Sequence, residues 1–332
     1  MAFRITLGEG RAFDSEPGET LLDAAARTGL TLPYSCRSGR CSTCACRVTG
    51  GDSIALHPET GLSERERANG WVLACVRSAT GDMAIEATVL GGLDLPPARI
   101  VPCRVDAIEA LAPDVMKVTL RLPPSAAFAF LPGQYVDILA AGNVRRSYSL
   151  ANAQGPFLEL HIREVPDGVL SAYWFGAAKA NDLLRLNGPL GTFVLREIAG
   201  MDVVFLATGT GIAPVKAMLE AIAVMPQDER PATVSVFWGG RTQADLYWDV
   251  ASVDAGQRYV PVLSRAAADW QGARGHVQDV YLADSPNLGR AVVYACGLDA
   301  MVSAAEAALT GAGLPPQRFR ADAFVASNPT PG

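Results

Sequence analysis

Lysine is almost missing from this sequence. Only Lys117, Lys179 and Lys216 occur among 28 basic residues, a bias that reads as genomic rather than functional. Histidine is equally scarce. His57, His161 and His276 match no triad or metal spacing, so each reads as a surface or satisfied core residue. Basic charge is in deficit: the net charge of −6 leaves no basic face for phosphate backbone, and no nucleic-acid partner is expected. No charge-free apolar run approaches the roughly 18 residues of a spanning helix, so nothing is expected to cross a membrane. The start, Met1-Ala2-Phe3-Arg4-Ile5-Thr6-Leu7, has no apolar stretch behind a basic beginning. No signal peptide is therefore expected, and a cytoplasmic location is.

What is present is length, apolar content and cysteine. The 332 residues predict two or three domains, and 49% hydrophobic residues can fill several cores. Seven cysteines without an export signal point to metal or redox chemistry rather than disulfides. The pattern changes twice along the chain. The tightest cysteine group lies in segment 1–92. The Gly- and Pro-dense run Gly91–Pro97 marks a linker, placed at 93–100. Segment 101–198 carries short strand-like runs broken by Pro and Gly: Arg104–Ile108, Val115–Leu122, Tyr135–Leu139, Arg146–Leu150, Phe157–Arg163 and Leu183–Leu186. These predict a small antiparallel barrel. Segment 199–332 alternates continuous apolar runs (Val203–Ala207, Val234–Trp238, Tyr259–Leu263, Val292–Cys296) with helical stretches such as Val215–Val224. That alternation predicts a parallel α/β sheet.

Cys36, Cys41 and Cys44 stand in C-x4-C-x2-C spacing, and Cys75 follows. This is the plant-type [2Fe–2S] spacing. Two bridged irons need four thiolates converging from outside. A tight loop supplies three, with Ser38 and Gly39 letting amides turn toward the sulfurs, and a distant segment supplies the fourth. A zinc site would pair two short C-x2-C hooks, and the sequence has no second hook. Cys46 fits no ligand position and reads as a spectator. Cys103 reads as a small buried hydrophobe.

Arg146-Ser147-Tyr148-Ser149 is an R-x-Y-S string on a predicted strand. Its chemistry suits a flavin: a guanidinium fork for pyrophosphate, a flat phenol face for the ring, a hydroxyl for N5. An ordinary half-buried strand would carry the same four residues. Gly209-Thr210-Gly211-Ile212-Ala213-Pro214 follows an apolar strand and opens a helix, which is a phosphate cradle, although it lacks the G-x-G-x-x-G fingerprint.

Taken together, these segments resemble known families along the whole chain. Residues 1–90 resemble a plant-type ferredoxin module, a β-grasp fold. The order Leu131-Pro132-Gly133-Gln134-Tyr135, R-x-Y-S, Gly168-Val169-Leu170-Ser171, Gly188-Pro189-Leu190-Gly191 and G-T-G-I-A-P resembles the ferredoxin–NADP reductase family. The resemblance implies a multidomain α+β protein: a β-grasp ferredoxin, an antiparallel FAD-binding barrel and a parallel α/β NAD domain. It also implies roles. Arg146, Tyr148 and Ser149 would grip the flavin, and Gly168, Val169, Leu170 and Ser171 its phosphates. Gly209, Thr210, Gly211, Pro214 and Arg241 would hold the dinucleotide. Cys296 would sit beside the nicotinamide, Phe324 would cover the flavin ring, and Asp322 would stand where relatives more often place Glu. Ser149, Cys296, Asp322 and Phe324 are thus the expected reacting-centre residues.

The ferredoxin-first order resembles reductase components of bacterial oxygenases, in particular ring-hydroxylating dioxygenase reductases, and CDP-6-deoxy-glucoseen reductases. It implies FAD rather than FMN, a nicotinamide donor, and a separate acceptor protein: a Rieske-type oxygenase component or, alternatively, a deoxysugar dehydrase. A monomer is expected. NADH is expected over NADPH. Ser264-Arg265 resembles a 2′-phosphate-binding pair, yet Arg265 stands alone in its loop and Asp245 places a negative charge nearby.

Overall fold

The computed structural model describes residues 2–140 and 144–325. The end of the segment expected to run to residue 332 lies outside the described residues. Contacts separate a first unit, containing Met1–Asp94, from a second, Leu95–Phe324.

In the first unit the strands are β1 (Phe3–Leu7), β2 (Ala12–Ser15), β3 (Ala45–Gly50), β4 (Ser53–Ala55), β5 (Trp71–Leu73), β6 (Arg77–Ala79) and β7 (Met83–Glu86). Five form a mixed sheet ordered β2-β1-β7-β3-β5, with β1 and β7 parallel at its centre. Helix α1 (Leu21–Arg27) starts at Thr20, whose hydroxyl accepts from the Asp23 amide and so satisfies a first-turn donor. It buries Leu21, Leu22, Ala24 and Ala25 with Ile5, Phe13, Leu73 and Ile85. A sheet gripping one helix is the β-grasp arrangement. The short helix α2 (Glu64–Ala68) opens on a Ser63–Glu66 capping box just ahead of β5.

The second unit begins with the barrel strands β8 (Arg99–Ala112), β9 (Val115–Arg121), β10 (Tyr135–Leu139), β11 (Arg145–Ser149), β12 (Phe157–Arg163) and β13 (Leu183–Leu190). Their order is β11-β10-β13-β8-β9-β12, all antiparallel. A bridge between Leu150 and Leu160 brings the two ends together. β8 is much longer than the expected Arg104–Ile108 and starts inside the segment read as linker. Pro102 hid it, since proline argues against a strand interior. Register shifts near Val105 and Ala110 bend β8, so that one strand pairs with both β13 and β9. Helix α3 (Val169–Ala172) runs into a π-helical turn, Tyr173–Ala177, before β13.

The remaining strands are β14 (Asp202–Thr208), β15 (Thr233–Gly240), β16 (Gln257–Leu263), β17 (Ala273–Arg274), β18 (Ala291–Leu298) and β19 (Phe319–Phe324). They form a parallel sheet ordered β17-β16-β15-β14-β18-β19. Helices α4 (Ile212–Ala223), α5 (Val277–Ala283) and α6 (Asp299–Gly311) connect the strands. The chain leaves β14 toward β15 on one side and returns to β18 on the other. This reversal opens a crevice at the carboxyl ends of the central strands.

Gly133 stands where barrel and parallel sheet meet. Its φ is +100°, and a Cβ there would overlap the Phe193 carbonyl oxygen and the methyl carbon of Met218 on α4. Gly133→Ala is therefore expected to cost about 2–3 kcal/mol. By differential scanning calorimetry of the second unit's transition, the melting temperature should fall by roughly 5–10 °C.

Candidate redox centres

The loop 36–44 brings three cysteines together, and Cys75 meets them from the turn between β5 and β6. The Cys41 thiol lies 3.1 Å from the Cys36 sulfur, and the Cys41 amide donates to that sulfur at 3.4 Å. Donation from the Cys41 and Cys75 thiols holds Cys36 far below the ordinary thiol range. Donation from Cys75 likewise lowers Cys44. Cys41, Cys44 and Cys75 are buried, whereas Cys36 is half-buried. Among the described residues no three His, Cys, Asp or Glu side chains gather as ligands of a single ion. A two-iron cluster asks only two thiolates of each iron, and the Cys36–Cys41 and Cys44–Cys75 contacts supply such pairs.

Two features shape this loop. Gly39 has φ +73°, and a Cβ there would collide with the Pro58 carbonyl. Glu59 is buried, and its carboxylate accepts from the Leu73 amide at 2.7 Å and from both arms of Arg77 at 3.0 and 2.6 Å. That fork spans the turn carrying Cys75. No spacing rule in the sequence flags the Glu59–Arg77 pair. Cys46 points into the core of the unit, where burial pushes its thiol up to about 12.

In the second unit, Arg146, Tyr148 and Ser149 follow one another on β11. The Tyr148 hydroxyl accepts from the Trp174 indole N–H at 3.2 Å, with the two rings nearly perpendicular. Gly168 precedes α3. The Ser171 hydroxyl accepts from the Val165 amide at 2.7 Å, closing the Gly168–Ser171 loop on itself. Trp174 is a residue the sequence reading passed over.

At the crevice, the Gly209–Gly211 turn leads from β14 into α4, whose first turn holds Pro214. A Cβ on Gly211 would strike the Cys296 carbonyl. One on Gly297, whose φ is +131°, would strike Thr208. The ends of β14 and β18 thus touch backbone to backbone. The Trp238 indole N–H donates to the Gly209 carbonyl at 3.0 Å. Arg163 of β12 comes within 2.8 Å of where a Gly209 Cβ would lie, another contact without a sequence signal.

Ser149, Cys296 and Asp322 arrive from different strands and meet. The Asp322 carboxylate accepts from the Ser149 hydroxyl at 3.5 Å and from the Cys296 thiol at 3.7 Å. Burial, reinforced by Asp322, pushes the Cys296 thiol well above its ordinary range, so it stays protonated. Phe324 is half-buried at the end of β19, against the core under the parallel sheet.

Asp245 departs from its expected part. Its carboxylate is buried and accepts from the amides of Arg241 and Thr242, both at 2.9 Å, and from Arg163 at 2.6 Å. Burial would raise its pKa, but the Thr242 amide and Arg163 outweigh it and keep the group ionised. Asp245 is an internal anchor, so it no longer argues against a 2′-phosphate. Arg265 is not isolated either. It lines a cavity of about 310 Å³ together with Pro113, Asp114, Arg241, Thr242 and Asp245.

Three family models match the chain in series: a 2Fe-2S iron-sulfur cluster binding domain over 5–80, an oxidoreductase FAD-binding domain over 102–195, and an oxidoreductase NAD-binding domain over 205–307. A CDP-6-deoxy-L-threo-D-glycero-4-hexulose-3-dehydrase reductase of Yersinia pestis is 39% identical, across 96% of this chain and 97% of its own length. The chain belongs to the iron–sulfur flavoprotein reductases. An aromatic O-demethylase reductase subunit of Amycolatopsis is 36% identical over 98% of this chain and 99% of that protein. Among solved structures, the Amycolatopsis cytochrome P450 reductase GcoB superposes with a TM-score of 0.76 at 35% identity, covering 97% of this chain and 98% of that one. The members of this reductase family bind a [2Fe–2S] cluster, FAD and a nicotinamide dinucleotide, and this chain has all three domains. No helix among the described residues is long and apolar enough to cross a membrane.

Cys41→Ser is expected to remove the cluster, and Cys46→Ser to leave about two irons per chain, as the plant-type ligand set requires. Iron analysis and visible absorbance of the two purified variants check this. Iron loss from the Cys46 variant would reassign the ligands.

Proposed function

We propose that this reductase accepts a hydride from NADH on FAD and passes single electrons through its [2Fe–2S] cluster to a separate enzyme, an oxygenase component. One observation carries the reading: the Ser149–Asp322–Cys296 contact joins the strand of the R-x-Y-S string to the crevice of the parallel sheet. When bound, the flavin supplies the conversion between a two-electron donor and a one-electron acceptor. The chain's own residues bind and orient. Cys36, Cys41, Cys44 and Cys75 hold the cluster. Arg146 and Gly168–Ser171 take the flavin phosphates, while Tyr148, braced by Trp174, offers the ring a face. Gly209, Thr210, Gly211, Pro214 and Arg241 receive the dinucleotide, with Arg163 beside them as a further cation. Ser149 presents its hydroxyl at the reacting edge, Asp322 orients that hydroxyl and the Cys296 thiol, and Phe324 shields the ring from water.

An oxygenase acceptor is supported by the likeness to the aromatic O-demethylase reductase subunit and to naphthalene dioxygenase reductase components. A dehydrase acceptor is the second reading, and the 39% identity to the dehydrase reductase favours it. Residues 95–332 alone are expected to reduce ferricyanide with NADH but to lose at least about 90% of cytochrome c reduction, because the one-electron outlet is gone. Failure of the truncated chain to accept hydride with flavin bound would refute the path. Added oxygenase or dehydrase components, assayed for turnover with the full chain, separate the two acceptors.

NADH as donor is supported by Asp114, a carboxylate that lines the same cavity as Arg241 and Arg265. NADPH is favoured by the presence of both arginines there. The expected result is kcat/KM for NADH exceeding that for NADPH by about 10-fold or more. A preference for NADPH that disappears in Arg265→Ala would reverse the assignment.

A further inference from the structure

β12 crosses from the barrel toward the parallel sheet with three charged or polar residues on one face, at alternate positions: Glu159, His161 and Arg163. Each meets a partner beyond the barrel. Arg163 reaches Asp245, as described above. The other two form a buried network that none of the cofactor assignments uses. The His161 ring, 1% exposed at its side chain, lies with Nε2 2.8 Å from the Glu159 carboxylate and Nδ1 3.2 Å from the Tyr247 hydroxyl. A carboxylate only accepts, so Nε2 carries the proton, and Nδ1 of the neutral ring accepts from Tyr247. Burial holds this imidazole below its ordinary pKa, which keeps it in that neutral state.

From the other side comes Lys216, one of the three lysines in the chain. It stands on α4, the helix that the Gly209–Gly211 turn opens into, and its side chain is 13% exposed. Its ammonium lies 3.3 Å from Glu159 and 2.6 Å from Glu220, one turn further along the helix. The third ammonium contact is a donation at 3.0 Å to the Ala151 carbonyl. Glu220 in turn accepts from the Ala153 amide at 2.8 Å. Residues 151 and 153 directly continue the R-x-Y-S strand beyond Ser149. Lys216 and Glu220 therefore staple the helix behind the phosphate turn to the backbone that carries the flavin string. Tyr247 extends the link. Its ring stands edge-on to Trp238 at 5.2 Å, and Trp238 holds the Gly209 carbonyl.

We propose that Lys216 and His161 are positioning residues for hydride transfer. With Glu159, Glu220 and Tyr247 they set the register of the Gly209–Gly211 turn and α4 against the R-x-Y-S strand, and so would fix how the residues for the dinucleotide face those for the flavin. Their contacts described above are with Glu159, Glu220, Tyr247 and the Ala151 carbonyl, not with the residues assigned to either cofactor. The inference rests on the hydride path proposed above. A displacement of one element by an ångström at such a junction is enough to slow a transfer severely.

The test is stopped-flow bleaching of flavin absorbance in the full-length, cofactor-loaded protein at saturating NADH, expressed per bound flavin. It is repeated with NADH deuterated at the transferred position. Lys216→Met is expected to slow the reduction on the order of 10-fold and to change the isotope effect, with flavin still bound. Lys216→Arg should restore most of the rate. Tyr247→Phe, which deletes a single hydroxyl, should slow it roughly 3-fold. A purely structural staple would lower the melting temperature and leave the rate per bound flavin and the isotope effect at wild-type values. That result in Lys216→Met overturns the proposal. Should Lys216→Met not fold, a wild-type rate in Tyr247→Phe overturns it instead. The unmodified protein in the same assay separates the two claims: no bleaching there would sink the hydride path itself, whereas equal rates in all variants sink only the positioning role.

Discussion

A hydride crosses only between rings held in contact, and two sheets of different construction must be registered for that to happen. The antiparallel barrel and the parallel sheet of Leu95–Phe324 share no strand. They are joined by side chains and by backbone approach. Where barrel and sheet meet, a carboxylate on β19 gathers a hydroxyl from β11 and a thiol from β18. Behind it, Lys216 and Glu220 hold the extension of β11, and Gly133 admits Met218 and Phe193 where a methyl group could not fit. A buried network of this kind contributes little net stability, because desolvation offsets most of the attraction. Its return is a single geometry.

The first unit meets a similar demand by other means. Its cluster loop has little regular secondary structure, so its shape is imposed from outside. Glu59 and Arg77 brace the turn of the fourth cysteine. The Pro58 carbonyl presses on Gly39, and Gly61 packs against the backbone of Arg40 and Cys41. The carboxylate of Glu59 is nearly enclosed, yet it is fully engaged by a guanidinium fork and an amide, which is the condition under which a buried charge is tolerated.

Much of this was legible in the residues. Short strand-like runs broken by Pro and Gly marked the barrel. Continuous apolar runs marked the parallel strands, and local spacing marked the cluster loop and the Gly209–Gly211 turn. Pro102 concealed the first half of β8, since a proline inside a strand reads as a break. Contacts between segments distant in the chain left no local trace. Nothing local singled out Lys216 or Arg163, and His161 read only as a surface or satisfied core histidine. Asp245 illustrates the opposite error. Sequence shows that a carboxylate is present but not which way it turns, and here backbone amides and Arg163 draw it inward.

The contact between Ser149 and Asp322 spans 173 residues. On a ribosome adding about 5–20 residues per second, the strand that bears the hydroxyl is made roughly 10–35 s before the carboxylate that orients it. The barrel through β13 is complete before β14 begins, so a nascent chain can fold it, and the flavin string with it, while β18 and β19 do not yet exist. For that interval neither the crevice nor the carboxylate junction is present. The Ser149–Asp322–Cys296 junction therefore closes only when β19, the last strand of the sheet to be made, pairs with β18.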